Sequence, residues 1–407
     1  MALSPVVTHT ASSSRAVSSP LRAIGSGQTT NAAGTPKPAT TTAAAVAATI
    51  PPSLDLAEQA NEEVKRLYIK GKKLGEGTYA NVFLGQLRSR PSVNVAIKKI
   101  KVQKEYTEGM APDAVRELKH LQELSHPNII ALLNVFSSKD QNLNLVLEFL
   151  PLGDLEGLIR DTDRVRYGAP DVKAWMGMLT RAVWFCHENH VLHRDIKPNN
   201  CLIAADGEVK LADFGLARGF ADPHQLMTAN VITRWYRPPE LLFGAKHYGG
   251  AVDVWSVGAV FAELVIRAPY MPGNNELDQV RLICEAVGTP NDDNWPGVTS
   301  LPEYTVPQQI PLRARDYYEM RFGTVGKEGV DLLIKTLILD PRKRITARQM
   351  LEHPWWHADP KPTPKQNLPR KDDGEKKMGE DLKRRPGVVD EDRGAKVARK
   401  LDFGGKK

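Results

Sequence analysis

Apolar residues alternate with charged ones over residues 68–75, 82–87 and 93–100, with glycine and charge between the runs. A two-residue period of this kind predicts antiparallel strands. The period then lengthens. In residues 113–124 the apolar positions are Val115, Leu118, Leu121 and Leu124, behind Asp113. Three-residue spacing after an acidic start predicts one amphipathic helix. Residues 143–150 predict another strand, stopped by Pro151. Longer helical patterns follow over 171–188, 252–266 and 329–339. Among them sits a small hairpin, in which Cys201–Ile203 and Val209–Leu211 flank an Asp206-Gly207 turn. The fold class this predicts is α+β, with a strand-rich lobe, a hinge near residue 150 and a mostly helical lobe.

Both flanks break the pattern. Residues 1–63 are rich in Ala, Ser, Thr and Pro, with no acidic residue before Asp55. Such a segment buries too little apolar area to offset its ordering entropy and is predicted to be a disordered extension. A transit peptide would share the acid-poor start, but only Arg15, Arg22 and Lys37 carry charge and no amphipathic helix is evident, which favours a plain extension. Residues 358–407 are predicted to be a basic disordered tail. From Lys361 onward 15 Lys/Arg stand against 9 Asp/Glu, so nearly all of the net charge of +7 lies there. The near-neutral body speaks against direct sequence-specific nucleic-acid binding, while Lys376-Lys377 and Lys383-Arg384-Arg385 are compatible with nuclear import.

The 41% hydrophobic content suits a sizeable core. The longest apolar stretch, 252–266, is interrupted by Asp253 and Glu263 and reads as a buried helix, so no membrane partner is expected. Cys186, Cys201 and Cys284 are far apart without metal-ligand spacing, which favours a reducing cytosolic or nuclear compartment.

The candidate chemistry centres on His193-Arg194-Asp195-Ile196-Lys197-Pro198-Asn199-Asn200, followed by Asp213-Phe214-Gly215. Phosphoryl transfer needs a carboxylate to orient a hydroxyl, a cation on the moving phosphate and oxygen ligands for Mg2+. Asp195, Lys197, Asn200 and Asp213 supply that set, whereas a turn-forming aspartate accounts for only one of the four. Upstream, Gly75-Glu76-Gly77-Thr78-Tyr79-Ala80-Asn81-Val82 is a glycine loop whose third glycine is replaced by Ala80. Lys98 ends an apolar strand and Glu117 lies nineteen residues later on the predicted helix. Separately these are an exposed lysine and a solvated acid; in that order they predict a Lys98–Glu117 pair turned toward ATP phosphates.

Together these motifs resemble the eukaryotic protein kinases over residues 68–357. Thr233-Arg234-Trp235-Tyr236-Arg237, Gly288-Thr289-Pro290 and Asp340-Pro341 before Arg344 are similar to the cyclin-dependent members. His126-Pro127-Asn128-Ile129-Ile130, Asn199-Asn200, Glu240-Leu241-Leu242-Phe243-Gly244-Ala245, Leu277-Asp278-Gln279 and, in the tail, Pro362-Thr363-Pro364 and Leu368-Pro369-Arg370 resemble the TFIIH-associated subfamily.

The resemblance implies a bilobal kinase domain over 64–357, with its N-lobe at 64–150 and C-lobe at 151–357, and ATP with Mg2+ in the cleft. Leu74, Val82, Ala96 and Leu202 would sandwich the adenine, Leu147 would guard the back pocket, Glu148 and Leu150 would form the hinge edge and Asp154 would face the ribose. Thr228 would be the activating phosphosite, gathered by Arg116, Arg194 and Arg218. Val231, Ile232 and Arg237 would select proline after the target residue. A cyclin, a RING-finger assembly factor and the TFIIH core are the implied partners. The RNA polymerase II C-terminal domain and the activation loops of other cyclin-dependent kinases are the implied substrates, and the nucleus the implied location.

Some positions depart from the family. Asp222-Pro223 replaces a second phosphorylatable serine, Pro238-Pro239-Glu240 replaces Ala-Pro-Glu, and Thr78 and Tyr79 match inhibitory sites of relatives. A cell-cycle kinase is the rival within the family. A pseudokinase scaffold is the rival outside it, opposed by the four catalytic groups being present.

Overall fold

The alternating first third of the chain forms a sheet of five antiparallel strands in the computed structural model, which describes residues 55–77, 80–101, 112–138, 142–222, 226–229 and 231–371. The strands are β1 (Tyr68–Glu76), β2 (Ala80–Leu87), β3 (Arg90–Ile100), β4 (Leu132–Ser137) and β5 (Leu143–Glu148), in the order β1-β2-β3-β5-β4. The register sets Val82 opposite Lys98 and Ala96 opposite Leu147. Ahead of the sheet runs helix α1 (Leu56–Leu67), and α2 (Pro112–Glu123) follows β3.

After the sheet the chain turns helical. Helices α3 (Leu155–Arg160) and α4 (Ala169–Glu188) come first. Then follow the short strands β6 (Val191–Leu192), β7 (Cys201–Ile203), β8 (Val209–Leu211) and β9 (Arg218–Gly219). Helices α5 (Pro239–Leu242), α6 (Ala251–Ile266), α7 (Glu276–Val287), α8 (Arg315–Phe322), α9 (Gly326–Thr336) and α10 (Ala347–Leu351) complete the lobe. Every residue of α6 from Val252 to Leu264 is buried, so its apolar surface is satisfied by protein on all sides. Its carboxylates and hydroxyl have partners, whereas the buried Trp255 Nε1–H has none among the described residues. Ser256 donates to the Tyr236 carbonyl and Glu263 accepts from the Tyr236 hydroxyl. No helix among the described residues is long and apolar enough to cross a membrane.

Both expected flanks need correction. Residues 56–63, placed in the disordered extension, belong to α1. That helix buries no residue completely. It is held from outside: Asn61 both accepts from the Ser137 N–H at 2.6 Å and donates to its carbonyl at 3.1 Å, and the Arg88 side chain bonds the Arg66 carbonyl. The helix thus covers edge strand β4, which would otherwise present open backbone groups.

The tail likewise does not begin at 358. Residues 358–371 form a strap across the helical lobe. The buried Lys173 of α4 donates to the Ala358 and Pro360 carbonyls at 2.8 and 2.7 Å, and Leu368 is buried in the main core. Lys365 bridges Asp206 and Glu208, both at 2.6 Å, and Lys371 pairs with Asp161 at 3.1 Å. Gly207, at φ +87°, is required here. A Cβ would lie 2.1 Å from the Lys365 carbonyl oxygen, so the strap rests directly on the β7–β8 turn. The remaining extension and tail residues lie outside the described ones.

Candidate active site

Lys98 leaves β3 beside the sheet's second strand and reaches two acids. Its Nζ lies 2.6 and 2.8 Å from the Glu117 carboxylate oxygens on α2 and 3.0 Å from Asp213 Oδ1. Burial alone would push the ammonium down, but Asp213 and Glu117 outweigh it and hold Lys98 above the ordinary lysine range. Reciprocally, Lys98 holds the Asp213 carboxyl down at about 2 against the opposing effect of burial. Asp213 sits at φ +64°, a left-handed conformation that an aspartate tolerates.

Asp195 is bonded through both carboxylate oxygens. Oδ2 accepts from Lys197 Nζ at 2.7 Å and Asn200 Nδ2 at 3.1 Å, while Oδ1 accepts from the Thr233 hydroxyl at 2.7 Å. Asn200 Nδ2 also donates to the Asp195 carbonyl at 2.7 Å. The loop carrying Asp195 is fixed from both sides. His193 Nδ1 accepts from the Asp195 N–H, so its Nε2–H donates to the Ala212 carbonyl at 3.1 Å. Burial lowers the His193 pKa, in keeping with that neutral tautomer. From α6, the fully buried Asp253 accepts the backbone N–H of both His193 and Arg194 and pairs with His187 Nε2, all at 2.9 Å. Burial would raise the Asp253 carboxyl, but these donors hold it below the ordinary range.

The residues expected around the adenine belong to, or pack against, one hydrophobic core cluster. Leu74, Val82, Ala96, Leu147 and Leu150 are buried and Leu202 half-buried. Asp154 pairs with Leu202 in an isolated bridge, and its carboxylate caps α3 by accepting from the Gly157 N–H at 2.8 Å. The Glu148 carboxylate accepts from the Ala131 N–H and pairs with Lys210 at 2.9 Å. In the glycine loop, Gly75 is buried and the Gly77 N–H donates to the Ala80 carbonyl at 2.8 Å. Asn81 stands opposite Glu76 and Lys99. Glu76 is gripped from outside by Lys101 and Lys73, which lower its carboxyl to about 2. Thr78 and Tyr79 lie outside the described residues.

The activation segment meets the same loop. Thr228 is exposed, and its carbonyl accepts from the Tyr248 hydroxyl at 2.7 Å, which in turn accepts from Arg194 at 3.0 Å. Arg218 adds its charge beside Tyr248. Arg116 sits on α2 next to Glu117. Farther on, Val231 and Ile232 are buried and Ile232 adopts φ +68°, a strained left-handed conformation for a β-branched residue. Arg237 accounts for it: its guanidinium donates to the Ile232 carbonyl at 3.1 and 3.3 Å and to the Val231 carbonyl at 2.9 Å. Glu240 meets Arg344 in a fully buried two-pronged pair at 2.7 and 3.0 Å.

The protein kinase domain family matches residues 68–356. The serine/threonine-protein kinase KIN28 of Saccharomyces cerevisiae is 49% identical over 301 residues, which cover 74% of this chain and 97% of that protein. Cyclin-dependent kinase 7 of Xenopus laevis is 41% identical over 346 residues, covering 83% of this chain and 95% of its own length. A solved structure of the CAK complex from Chaetomium thermophilum bound to ATP-γ-S holds a chain 72% identical to this one. That chain aligns with a TM-score of 0.76 over 78% of this chain and 99% of its own.

The chain belongs to the cyclin-dependent serine/threonine protein kinases.

A kinase of this family binds ATP. Three residues that touch the reacting cluster or its supports had no site role in the sequence reading. Thr233 closes the second face of Asp195, Tyr248 links Arg194 to the Thr228 backbone, and Asp253 holds the catalytic loop from α6. Only Thr233 left a signal, as the first residue of the quoted Thr-Arg-Trp-Tyr-Arg motif.

Proposed function

We propose that this kinase transfers the ATP γ-phosphoryl to Ser or Thr followed by Pro, as the cyclin-bound catalytic subunit of a transcription-associated assembly. In this reading Asp195 accepts the hydroxyl proton and aims the oxygen, with Thr233 and Asn200 keeping the carboxylate in one orientation. Lys197, already 2.7 Å from that carboxylate, neutralises charge on the transferred phosphoryl. Lys98, fixed by Glu117, steadies the α- and β-phosphates. Leu74, Val82, Ala96 and Leu202 hold the adenine, Leu147 lines the back of its pocket and Glu148, Leu150 and Asp154 edge it.

Mg2+ fits the donors present. Among the described residues no three His, Cys, Asp or Glu side chains cluster as a metal site. Asn200 commits its amide nitrogen to Asp195, which leaves its oxygen for a cation, and Asp213 offers a carboxylate. Two protein oxygens completed by water and phosphate oxygens suit Mg2+, which rarely sits in an all-protein cage. When bound, the ion would screen the phosphate charge.

The observation that carries substrate choice is the inverted Ile232. Its carbonyl is consumed by Arg237, so a peptide residue arriving there finds no acceptor for its backbone N–H. Proline has none to satisfy, whereas any other residue would leave a buried N–H unpaired, at about 1–3 kcal/mol. That predicts a preference for Ser-Pro over Ser-Ala of roughly 5- to 150-fold in kcat/KM. Equal rates on the two peptides would refute it.

The similarity to the cyclin-dependent kinase 7 proteins and to the CAK complex supports a cyclin on the α2 side. It also supports the wider assignment: a RING-finger assembly factor, the TFIIH core, nuclear location, and the RNA polymerase II C-terminal domain and other kinases' activation loops as substrates. Phosphate on Thr228 would draw in Arg194, Arg218 and Arg116, two of which neighbour Asp195 and Glu117 in sequence. Purification of the native complex with subunit identification, and a kinase assay on heptad-repeat peptide, test the assignment. Recovery without a cyclin would sink it.

A further inference from the structure

We propose that Thr363 is itself a phosphorylation site, and that phosphate there unlatches the strap of residues 358–371 from the helical lobe. The proposal rests on the proline-directed reading above, because Thr363 precedes Pro364 and is the only Ser or Thr in the strap.

The geometry makes this hydroxyl a latch. Thr363 Oγ1 donates to Asp171 Oδ1 at 2.7 Å and the Thr363 N–H donates to the Pro170 carbonyl at 3.1 Å. The other Asp171 oxygen accepts from the Gly168 N–H at 2.8 Å, closing the first turn of α4. Both carboxylate oxygens are therefore occupied, and the latch works only because the strap offers a hydroxyl proton. A phosphothreonine offers no donor there and adds about 1.5 to 2 negative charges against a carboxylate. Neighbouring cations are already engaged. Lys173 serves the Ala358 and Pro360 carbonyls, Lys361 the His357 carbonyl and Asp359, and Lys365 Asp206 and Glu208. The site is reachable. Thr363 is half-exposed, Pro362 and Pro364 are exposed, and one backbone bond holds the residue to α4, so a short local opening frees it.

In the reaction Thr363 Oγ1 of one molecule bonds to the γ-phosphorus of ATP held by another. The bond from that phosphorus to the ADP oxygen breaks, ADP leaves with the electron pair, and the hydroxyl proton passes to Asp195 of the acting kinase and on to solvent. With the latch open, Lys365 would no longer be held over Asp206 and Glu208 on the hairpin that carries Leu202.

The test uses the cyclin-bound wild-type kinase with ATP acting on full-length chain made inert by Asp195→Asn, with and without Pro364→Ala. A Ser-Pro and Ser-Ala peptide pair runs alongside. Phosphosite mapping should find Thr363 modified and the modification lost in Pro364→Ala. Hydrogen exchange of residues 361–371 should then speed up by about tenfold or more in the phosphorylated chain, and much less in Thr363→Val, which loses the hydrogen bond without gaining charge. Peptide preference with an unmodified Thr363 overturns the proposal and leaves the proline-directed reading standing. No peptide preference removes both. Modified Thr363 with unchanged exchange, or exchange equal to that of Thr363→Val, overturns the charge-driven latch.

Discussion

Asp253→Asn isolates how much the catalytic loop depends on one buried carboxylate. In the native chain three donors meet its two oxygens at 2.9 Å, two of them backbone N–H groups of His193 and Arg194. Asparagine keeps one acceptor oxygen, so its NH2 must face a donor. A lost hydrogen bond to a charged group removes about 1.5–3 kcal/mol, and a stranded buried N–H costs about 1–3 kcal/mol. Arg194 adds to the dependence, because its φ of +62° is a strained conformation that the bond to Asp253 secures. Allowing for overlap, the substitution should destabilise the fold by about 3–5 kcal/mol. That is a large share of a typical 5–15 kcal/mol, yet leaves a folded protein at low temperature.

The assay pairs urea unfolding with kcat measured well below both transitions. There kcat should fall at least about tenfold, because Asp195 loses its orientation, while KM for ATP changes little. The pH dependence has a definite sign. Asp253 is depressed in the folded state, so its contribution is complete above the ordinary carboxylate pKa near 3.9 and is lost as pH falls through its lower folded value. The part of the stability gap that comes from Asp253's own titration should therefore be lost only below about pH 4. A destabilisation under about 1 kcal/mol, or a folded variant with kcat within about twofold of native, would refute the reasoning.

Three further outcomes follow from the same geometry. Lys98→Met should lower kcat/KM by roughly 10²- to 10³-fold without unfolding the chain, and should release the Asp213 carboxyl from about 2 toward the ordinary range, read by NMR titration. Arg344→Ala should destabilise more than Glu240→Gln in a denaturant series. The first strands a buried carboxylate and the Ile338, Ala251 and Leu339 carbonyls, whereas the second leaves the arginine on those same carbonyls; losses of about 3–5 kcal/mol are expected for breaking such a pair. Thr228→Ala should reduce activity or weaken cyclin binding, and identical values for both in a paired kinase and pull-down assay would count against the phosphothreonine switch.

Local periodicity carried most of the fold. The strands bearing the glycine loop and Lys98, the helix bearing Glu117, and the small hairpin all appeared within a few residues of their observed ends. Asp195, Lys197, Asn200 and Asp213 were legible because three chemical types stood at set spacings. Less visible were features whose partners are remote in sequence. Asp253 looked like an interruption in an apolar run, since its donors lie about 60 residues earlier. The strap read as tail because it is rich in charge and proline, while its one buried apolar anchor is Leu368 and the carboxylates that hold its Lys365 lie 157 and 159 residues away. Helix α1 carries no fully buried residue, so no core pattern announced it. Strand β4 was missed because it is half-buried and does not alternate, whereas α7 was legible, with Leu277, Val280, Ile283, Cys284 and Val287 at helical spacing, but was not picked out.

The strap also decides where the chain leaves the fold. Lys371 is tied to Asp161 at the C-terminal end of α3, and Asp154, proposed above to edge the ribose, caps the other end of that helix. Six helical residues lie between the two, a separation of roughly 10 Å. With Asp154 in that proposed role, the described chain ends close to the nucleotide, and a partner bound beyond residue 371 would be held at high effective concentration there. Opening the latch at Thr363 would move that tether point away, turning a short leash into a long one with no change in any contact the partner makes.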